Sequence, residues 1–369
     1  MAQETAFPRF DDSPANWKGP ELAANPGRWT HSLTADELAA LDRVIAEHGD
    51  RRDDLVNLTL NDVPMPALAP RLKRIRDDLL NGHGIALIRG FPADRYTLRQ
   101  KATAFWAIGA HLGEPVSQNA KGHVLGHVQD LGFDYERPSS RGYQTAERLP
   151  YHCDSGDVVG LLSINTSKSG GLSSAVSSTA LYHAIVDRRP DLAGVLMQPT
   201  WRDRRDEIPA GKAPWYKVPV FNPHAGRLFG HYVRSAIRKA QRFDDVPRIT
   251  VEQNAAFDYL DSLAASDEFR LDMEFQVGDM QFVCNHWVLH SRTKFEDWPE
   301  LEKRRHLLRL WLACPDGPTL PQVYDDHQGL TASGRPQGIL CPGAILNAPL
   351  AAVDGGPGSS DQRARSAAE

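Results

Sequence analysis

Short apolar stretches separated by Gly, Pro, Asn and Asp make up most of the sequence from Pro115 onward. A series of short strands with turn residues between them is typical of a β-sandwich or a β-barrel. One helix is predicted to interrupt the strands, from Thr250 to Ala265, because Thr250 and Gln253 form a capping box at its start. The predicted strands lie at 123–129, 158–165, 173–178, 215–221, 226–233, 270–276, 280–284 and 306–313.

The first third of the chain has a different pattern, which predicts helices around one strand. Thr34 and Glu37 form a capping box for a helix that ends near Gly49, and a buried strand is expected at 84–91. Residues 1–30 show no periodicity and are expected to form an irregular arm across the domain. Two more helices are predicted at 66–80 and 97–112. The predicted fold class is therefore α+β, with a mainly β core flanked by helices.

The charge and the cysteine pattern argue against several classes of protein. The 369-residue chain has a formal net charge of −5, so we expect no nucleic-acid partner. The sequence has no apolar run of about 18 residues and no secretory signal pattern, so we expect no membrane association. Four cysteines without a C-x-x-C motif indicate reduced thiols, which favours a cytoplasmic protein over one with disulfides or a zinc site.

A His-x-Asp pair within residues 149–157 is the strongest chemical signal in the chain. In an extended strand, alternate side chains point to the same face, so His152 and Asp154 would converge while Cys153 points to the core. One imidazole and one carboxylate are two members of the 2-His-1-carboxylate triad that binds non-haem Fe(II). A single His-x-Asp is a common chance motif, so a third ligand is needed before the pair predicts a metal site.

The segment 280–293 offers two candidates for that third ligand. His286 lies in the turn-like sequence Asn-His-Trp, and His290 lies between an apolar pair and Ser-Arg-Thr. Periodicity does not choose between them.

Several motifs, taken in order, resemble the TauD/TfdA family of Fe(II)- and 2-oxoglutarate-dependent dioxygenases, within the clavaminate-synthase-like group. The motifs are His152-x-Asp154, Gly278-Asp279, Asn285-x4-His290-Ser291-Arg292 and Arg305-x3-Arg309. The resemblance implies a double-stranded β-helix (jelly roll) that uses Fe(II), 2-oxoglutarate and O2. It also implies that His152, Asp154 and His290 are the metal ligands and the catalytic centre.

The same resemblance suggests how 2-oxoglutarate would be bound. Arg305 matches the family arginine that holds the distal carboxylate, Arg309 matches a second arginine on the substrate side, and Ser173 is the looser match for a family hydroxyl, with Ser174 beside it. A planar, permanently charged guanidinium suits a desolvated carboxylate. Arg305 and Arg309 are four residues apart, so in a strand they share a face. Which of the two arginines holds 2-oxoglutarate is left open.

The expected reaction is oxidation of a small molecule, with hydroxylation favoured, and release of succinate and CO2. Related halogenases replace the carboxylate ligand with a small residue, whereas Asp154 is present here; desaturation, ring closure and dealkylation stay open. Arg309 and the cluster Trp201–Glu207 hint at a carboxylate or sulfonate substrate, although the cluster is charge-balanced and is expected at the surface. Residues 201–222 carry Pro and Gly and could form a lid.

Four segments are expected along the chain. They are an N-terminal arm with helices (1–83), a dioxygenase domain (84–313), a C-terminal extension (314–350) and a disordered tail (351–369). Two alternative functions stay open: a cupin-like metal or small-molecule binding protein without turnover, and a protein-modifying dioxygenase on the same fold. Exposed helices in the first third could support a homo-oligomer.

Overall fold

The computed structural model describes residues 7–51, 54–135, 141–327 and 329–351. The first third contains helices on either side of a strand, as the sequence predicts. Its elements are α1 (Gly19–Ala23), β1 (Thr30–Ser32), α2 (Ala35–His48), α3 (Ala69–Asn81), β2 (Ile85–Arg89) and α4 (Leu98–Leu112). Thr34 and Thr97 cap α2 and α4, each accepting a hydrogen bond from the backbone N–H three residues on.

Strands dominate the rest of the chain, with helices between some of them. The elements are β3 (Glu114–Pro115), β4 (Leu125–Val128), β5 (Leu149–His152), β6 (Val158–Asn165), β7 (Ser169–Gly170), β8 (Ser173–Ser177), α5 (Ser178–Arg188), α6 (Pro190–Leu196), β9 (Thr200–Asp203), β10 (Trp215–Val218), β11 (Phe221–His224), β12 (Arg227–Gly230), α7 (Arg234–Lys239), α8 (Val251–Ala264), β13 (Leu271–Met273), β14 (Met280–Cys284), β15 (Val288–Arg292), β16 (Phe295–Glu296) and β17 (His306–Ala313).

Two sheets form the β core. The larger has the strand order β1-β2-β14-β6-β17-β3, with β4 also paired to β17; the smaller has the order β13-β8-β15-β5. Only β1 and β2 pair in parallel within these sheets. Ala175 and Val288 of the smaller sheet share a hydrophobic cluster with Val159 and Trp311 of the larger one. The two sheets therefore pack across a common interior, which is where the polar site described below lies.

Helices α2, α3 and α4 cover the larger sheet on one side, whereas α5, α6 and α8 share a cluster with residues of the smaller sheet. Phe105 and Ile108 of α4 share a cluster with Leu308 and Leu310 of β17. A Cβ atom on Gly160 of β6 would come within 2.6 Å of the Phe282 ring, so glycine allows that ring to lie flat against the strand. No helix among the described residues is long and apolar enough to cross a membrane.

The prediction of a single helix within the strand region was wrong, because α5, α6 and α7 also lie there. Most of α5 is buried, so its apolar residues do not show the one-sided period that marks a surface helix. Strands β9, β11 and β15 were not predicted. The described part of the N-terminal arm is not fully irregular either, since α1 lies within it and Trp17, Leu22 and Trp29 join the core. The predicted tail falls almost entirely outside the described residues, and the division into four segments stays a prediction.

Candidate active site

Three potential metal ligands converge between the two sheets. His152 ends β5 and His290 lies on β15, where the two residues are paired in register, with ring centroids 4.3 Å apart. Asp154 follows two residues after His152, and its Oδ2 lies 3.8 Å from Nε2 of His290. One ligand atom from each of the three residues lies within 4.8 Å of the others. The geometry is that of a facial triad.

The backbone around His152 sets which nitrogen faces the metal. Nδ1 of His152 donates to the Pro150 carbonyl at 2.8 Å, so Nε2 keeps its lone pair for a metal. Cys153 points away into the core, and its backbone N–H donates to the Tyr232 carbonyl. The alternation expected for an extended strand therefore holds, although β5 ends at His152 and Asp154 lies in the following loop.

Asn285 holds that loop in place. Its side-chain oxygen accepts the Asp154 N–H at 2.9 Å, and its amide nitrogen donates to the Gly156 carbonyl at 3.0 Å. Asn285 is 3% exposed, so both hydrogen bonds are shielded from water. One side chain from the end of β14 thus fixes the position of the carboxylate ligand.

The protonation states suit a divalent cation. Burial raises the pKa of Asp154, but the Arg309 guanidinium and the two imidazoles outweigh burial and bring the pKa down to about 2. Burial and the neighbouring His152 lower the pKa of His290 to about 3. Burial also lowers the pKa of His152. At neutral pH the triad therefore offers one ionised carboxylate and two neutral imidazoles, which is the donor set that a ferrous ion needs.

His286, the other candidate for the third ligand, lies elsewhere. It is buried, and its Nε2 donates to Oδ1 of Asp157 at 2.6 Å. Asp157 also accepts hydrogen bonds from Arg335 and from the backbone N–H of Cys314. This network ties the turn before β15 to the C-terminal extension, and no other described His, Cys, Asp or Glu joins the triad.

Arg305 provides a buried positive charge in the same cavity. It immediately precedes β17, is 5% exposed, and its Nη1 has no hydrogen-bond partner among the described residues. Burial and the nearby Arg292 lower its pKa to about 9. Arg292 is also buried, and both guanidinium groups lie over the ring of Phe295, at 4.6 Å for Arg292 and 5.2 Å for Arg305. No carboxylate of the described residues forms an ion pair with either guanidinium, so two adjacent buried cations make this part of the cavity favourable for an anionic ligand.

Arg309 lies on β17, nearer the triad. Its Nε donates to the Gln118 side chain at 2.8 Å, and its Nη1 lies 3.5 Å from Oδ2 of Asp154. The Tyr143 and Trp311 rings flank the guanidinium at 4.4 and 4.9 Å. Two nitrogens of Arg309 therefore orient the carboxylate ligand and Gln118, while its Nη2 has no partner among the described residues.

Ser173 and Ser174 face different surroundings. Ser173 lines the cavity opposite Arg292 in the strand register, and its Oγ is 3.4 Å from Oε1 of Gln281. Ser174 bonds the Tyr151 hydroxyl at 2.6 Å and is not part of the cavity wall. Of the two serines, Ser173 is thus the one positioned to reach a ligand.

The cavity is open to solvent on one side and is walled partly by Arg204, Arg205, Glu207 and Pro209, which follow β9. The prediction that the cluster Trp201–Glu207 lies at the surface was wrong, because Arg202 and Arg204 are buried and Arg205 and Glu207 line the cavity.

Sequence reasoning missed three residues near the site. Arg292 was quoted in a motif but not proposed for the site; its even spacing from His290 in a strand would have placed it on the same face. Gln118 and Arg141 carry no sequence signal of their own.

Comparison with known proteins decides the family. The model of the family described as taurine catabolism dioxygenase TauD, TfdA family, matches residues 54–311. The chain belongs to this family. It is therefore an Fe(II)- and 2-oxoglutarate-dependent dioxygenase, and the predicted enzyme class and cofactors (Fe(II), 2-oxoglutarate and O2) are confirmed. A binding protein without turnover, the first alternative, gives no reason for the unpartnered Arg305.

Two curated proteins are similar to the chain. FR-33289 synthase of Streptomyces rubellomurinus is 28% identical over 319 residues, which cover 84% of this chain and 92% of that protein. Taurine hydroxylase-like protein SAT17 of Stachybotrys chartarum is 27% identical over 259 residues, which cover 67% of this chain and 65% of that protein.

Solved structures confirm the predicted fold. An asparagine oxygenase in complex with Fe(II), hydroxyasparagine and succinate matches with a TM-score of 0.61 at 15% identity, covering 83% of this chain and 98% of the other. The non-heme iron oxygenase OrfP, in complex with Fe and alpha-ketoglutaric acid, matches with a TM-score of 0.59 at 16% identity, covering 85% and 99%. The core is thus a double-stranded β-helix.

Proposed function

We propose that the protein hydroxylates a small anionic molecule, a carboxylate or a sulfonate, at a site built by His152, Asp154 and His290. The observation that carries the proposal is the convergence of two neutral imidazoles and one ionised carboxylate in the cavity that also contains the unpartnered Arg305. When bound, Fe(II) and 2-oxoglutarate supply the activation of O2 that inserts oxygen into a C–H bond, with release of succinate and CO2.

The co-substrate would be oriented by the buried arginines. Arg305 would pair with the distal carboxylate of 2-oxoglutarate, with Arg292 as a second guanidinium on the same side of the cavity. Ser173 would add a neutral hydrogen bond. Binding is favoured because the carboxylate neutralises two cations that burial otherwise destabilises. Arg309 would act on the other side, where it keeps Asp154 ionised and correctly oriented.

An anionic substrate is supported by the charge of the cavity wall, in which arginines outnumber carboxylates. The relatives bear on substrate size: the asparagine oxygenase and OrfP structures contain hydroxylated amino acids, so small acids of that kind are the first substrates to test. The second alternative, a protein-modifying enzyme that binds a cationic peptide, is not supported, because arginines outnumber carboxylates among the described residues of the cavity wall.

A spectroscopic test distinguishes an active iron-dependent dioxygenase from a protein that shares the fold but lacks the activity. Under argon, Fe(II) and 2-oxoglutarate added to the wild-type protein should produce a weak visible charge-transfer band, and air should then yield succinate. His152→Ala should show neither. If the wild type gives no band and no succinate, the assignment of the site is wrong.

The proposal includes a cytoplasmic location and allows a homo-oligomer. The four cysteines are free, three of them buried, which supports a reducing compartment in which Fe(II) is also stable. Light scattering on the purified protein would determine the oligomeric state.

A further inference from the structure

The charges of the cavity wall do not balance. Among the described residues, the wall contains seven arginines and three carboxylates. Each carboxylate already has a guanidinium partner: Asp154 has Arg309, Glu207 has Arg141, and Asp203 has Arg242 from outside the wall. Any further anion-binding capacity must therefore come from the arginines that these pairs leave over.

Two of the remaining arginines also have partners. Arg234 forms an ion pair with Asp258 at 2.7 Å, and Arg204 donates to the backbone carbonyls of Ala213 and His327. In the described part of the chain, this leaves Arg205, Arg292 and Arg305 without a carboxylate within 4 Å. Arg292 and Arg305 lie together over Phe295, where the co-substrate carboxylate would neutralise them.

Arg205 belongs to a different part of the cavity. Its Nη2 donates to Ser235 Oγ at 2.9 Å, and its buried Nε has no partner among the described residues. Ser235 lies two residues after Val233, which forms a β-bridge with His152, whereas Arg305 lies with Arg292 over the Phe295 ring. Arg205 thus acts on the metal side of the cavity, away from the co-substrate pair.

The backbone at Arg205 is unfavourable for an arginine. The Glu207 N–H donates to the Arg204 carbonyl at 3.1 Å, and the two residues between them have φ angles of 57° for Arg205 and 64° for Asp206. Two successive left-handed residues in such a turn are the arrangement of a type I′ turn, which usually contains Asn-Gly. The Arg205 N–H donates to Oδ1 of Asp203 at 2.6 Å, which helps to hold this conformation. An arginine kept in a strained position with a free buried nitrogen is typical of a functional site.

We propose that Arg205 binds the anionic group of the substrate, a carboxylate or a sulfonate, and so determines which acids the enzyme accepts. This inference rests on the proposed function. Arg309 also has an unpartnered nitrogen, Nη2, but it is a weaker anchor for that group, because the adjacent Asp154 carboxylate already neutralises its charge. The unpartnered nitrogen of Arg205 and its Ser235-bound nitrogen offer a charge-assisted contact without breaking an ion pair.

Anion binding can be measured without knowing the substrate. The Fe(II)–2-oxoglutarate complex, kept under argon, is titrated with inorganic sulfate in a calorimeter. Wild type should bind one sulfate, Arg205→Gln should bind it at least tenfold more weakly, and Arg205→Lys should recover part of the loss. Lys212→Gln is the matched control, since Lys212 lies on the same segment and contacts Asp325 and Asp326 outside the cavity. Absence of sulfate binding in wild type, or equal binding in Arg205→Gln, overturns the proposal.

A second variant separates binding from folding. Glycine adopts a φ near 57° without strain, so Arg205→Gly should keep or raise the melting temperature while losing sulfate affinity at least tenfold. A lower melting temperature with unchanged sulfate affinity would show that Arg205 is structural, and would overturn the proposal. The charge-transfer band of wild type is recorded in parallel. If that band is missing while sulfate binding to the metal-free protein still depends on Arg205, the proposed function fails and Arg205 is shown only to bind anions, not to select a substrate.

Discussion

His152 and His290 face each other across the paired strands β5 and β15, with their Cα atoms in register and their rings 4.3 Å apart. Because a β-ladder holds both residues at a set separation, the two imidazoles are brought together before any metal binds. Asp154 lies beyond the end of β5 and depends on Asn285 for its position. The triad therefore consists of a rigid pair and a third ligand on a tethered loop.

Replacing either imidazole of this pair should abolish iron binding. In His152→Ala and His290→Ala, the remaining two ligands cannot hold Fe(II) in a facial arrangement, so the anaerobic charge-transfer band and succinate release should both be lost. His31→Ala is the control, because His31 lies on β1 outside the cavity wall. A variant at 290 that keeps wild-type iron affinity would remove that residue from the ligand set.

Removing the charge of Arg305 should weaken the binding of the co-substrate 2-oxoglutarate. The loss of a charge-assisted hydrogen bond costs about 1.5–3 kcal/mol, so the KM for 2-oxoglutarate in Arg305→Gln should rise by about 10- to 100-fold. Arg304→Gln removes a neighbouring charge that contacts the Trp298 carbonyl outside the cavity, and should leave that KM unchanged. Steady-state succinate assays measure both. Equal KM values for the two variants would contradict the role of Arg305.

Asn285→Ala should reduce iron affinity, because Asn285 holds the loop that carries the ligand Asp154. Leaving the Asp154 N–H and the Gly156 carbonyl unpaired should cost about 1–3 kcal/mol of stability and allow the ligand loop to move. Asn222→Ala is a matched control, because Asn222 is likewise buried and makes two hydrogen bonds to the backbone, donating to the Pro219 and Phe229 carbonyls, and is not a neighbour of the ligands in the chain. Chemical denaturation and iron titration are compared. Both variants should lose stability, but only Asn285→Ala should lose iron affinity.

The buried pair His127 and His306 should make the fold sensitive to acid. Nδ1 of His127 lies 2.8 Å from Nε2 of His306, and Nε2 of His127 donates to the Pro349 carbonyl. Burial lowers the pKa of His306 to about 3 and also lowers that of His127, whereas unfolded histidine titrates near 6.5. Below pH 6.5 the unfolded chain takes up protons that the folded chain does not, so stability is complete above that pH and falls toward pH 3.

Urea unfolding between pH 7 and 4 measures this effect. Each histidine that is protonated only in the unfolded state contributes a slope of about 1.4 kcal/mol per pH unit. His306→Gln should reduce the slope by up to that amount, whatever it does to stability at pH 7. An unchanged slope would show that the pair does not titrate differently in the two states.

Sequence patterns were sufficient for the elements with regular periodicity. The predicted capping boxes at Thr34 and Thr250 begin α2 and α8, and the predicted strands 158–165, 280–284 and 306–313 match β6, β14 and β17. These signals depend only on residues close together in the chain. The structure retains the predicted elements because the local preferences and the burial pattern favour the same conformation there. The order of motifs, rather than any single motif, identified the family.

Only the tertiary structure decided what each polar residue does. Periodicity does not separate His286 from His290, and only the family resemblance favoured His290; register with β5 brings His290 to His152, while His286 pairs with Asp157. Likewise, no local pattern separates the half-buried Arg205, which lines the cavity, from a surface arginine, because its cavity is closed by strands distant in the chain. Local sequence determined the helices, the strands and the His-x-Asp pair; long-range strand pairing determined which charges meet. The physical reason is that periodicity records which face is buried, whereas a site depends on which buried faces are brought together.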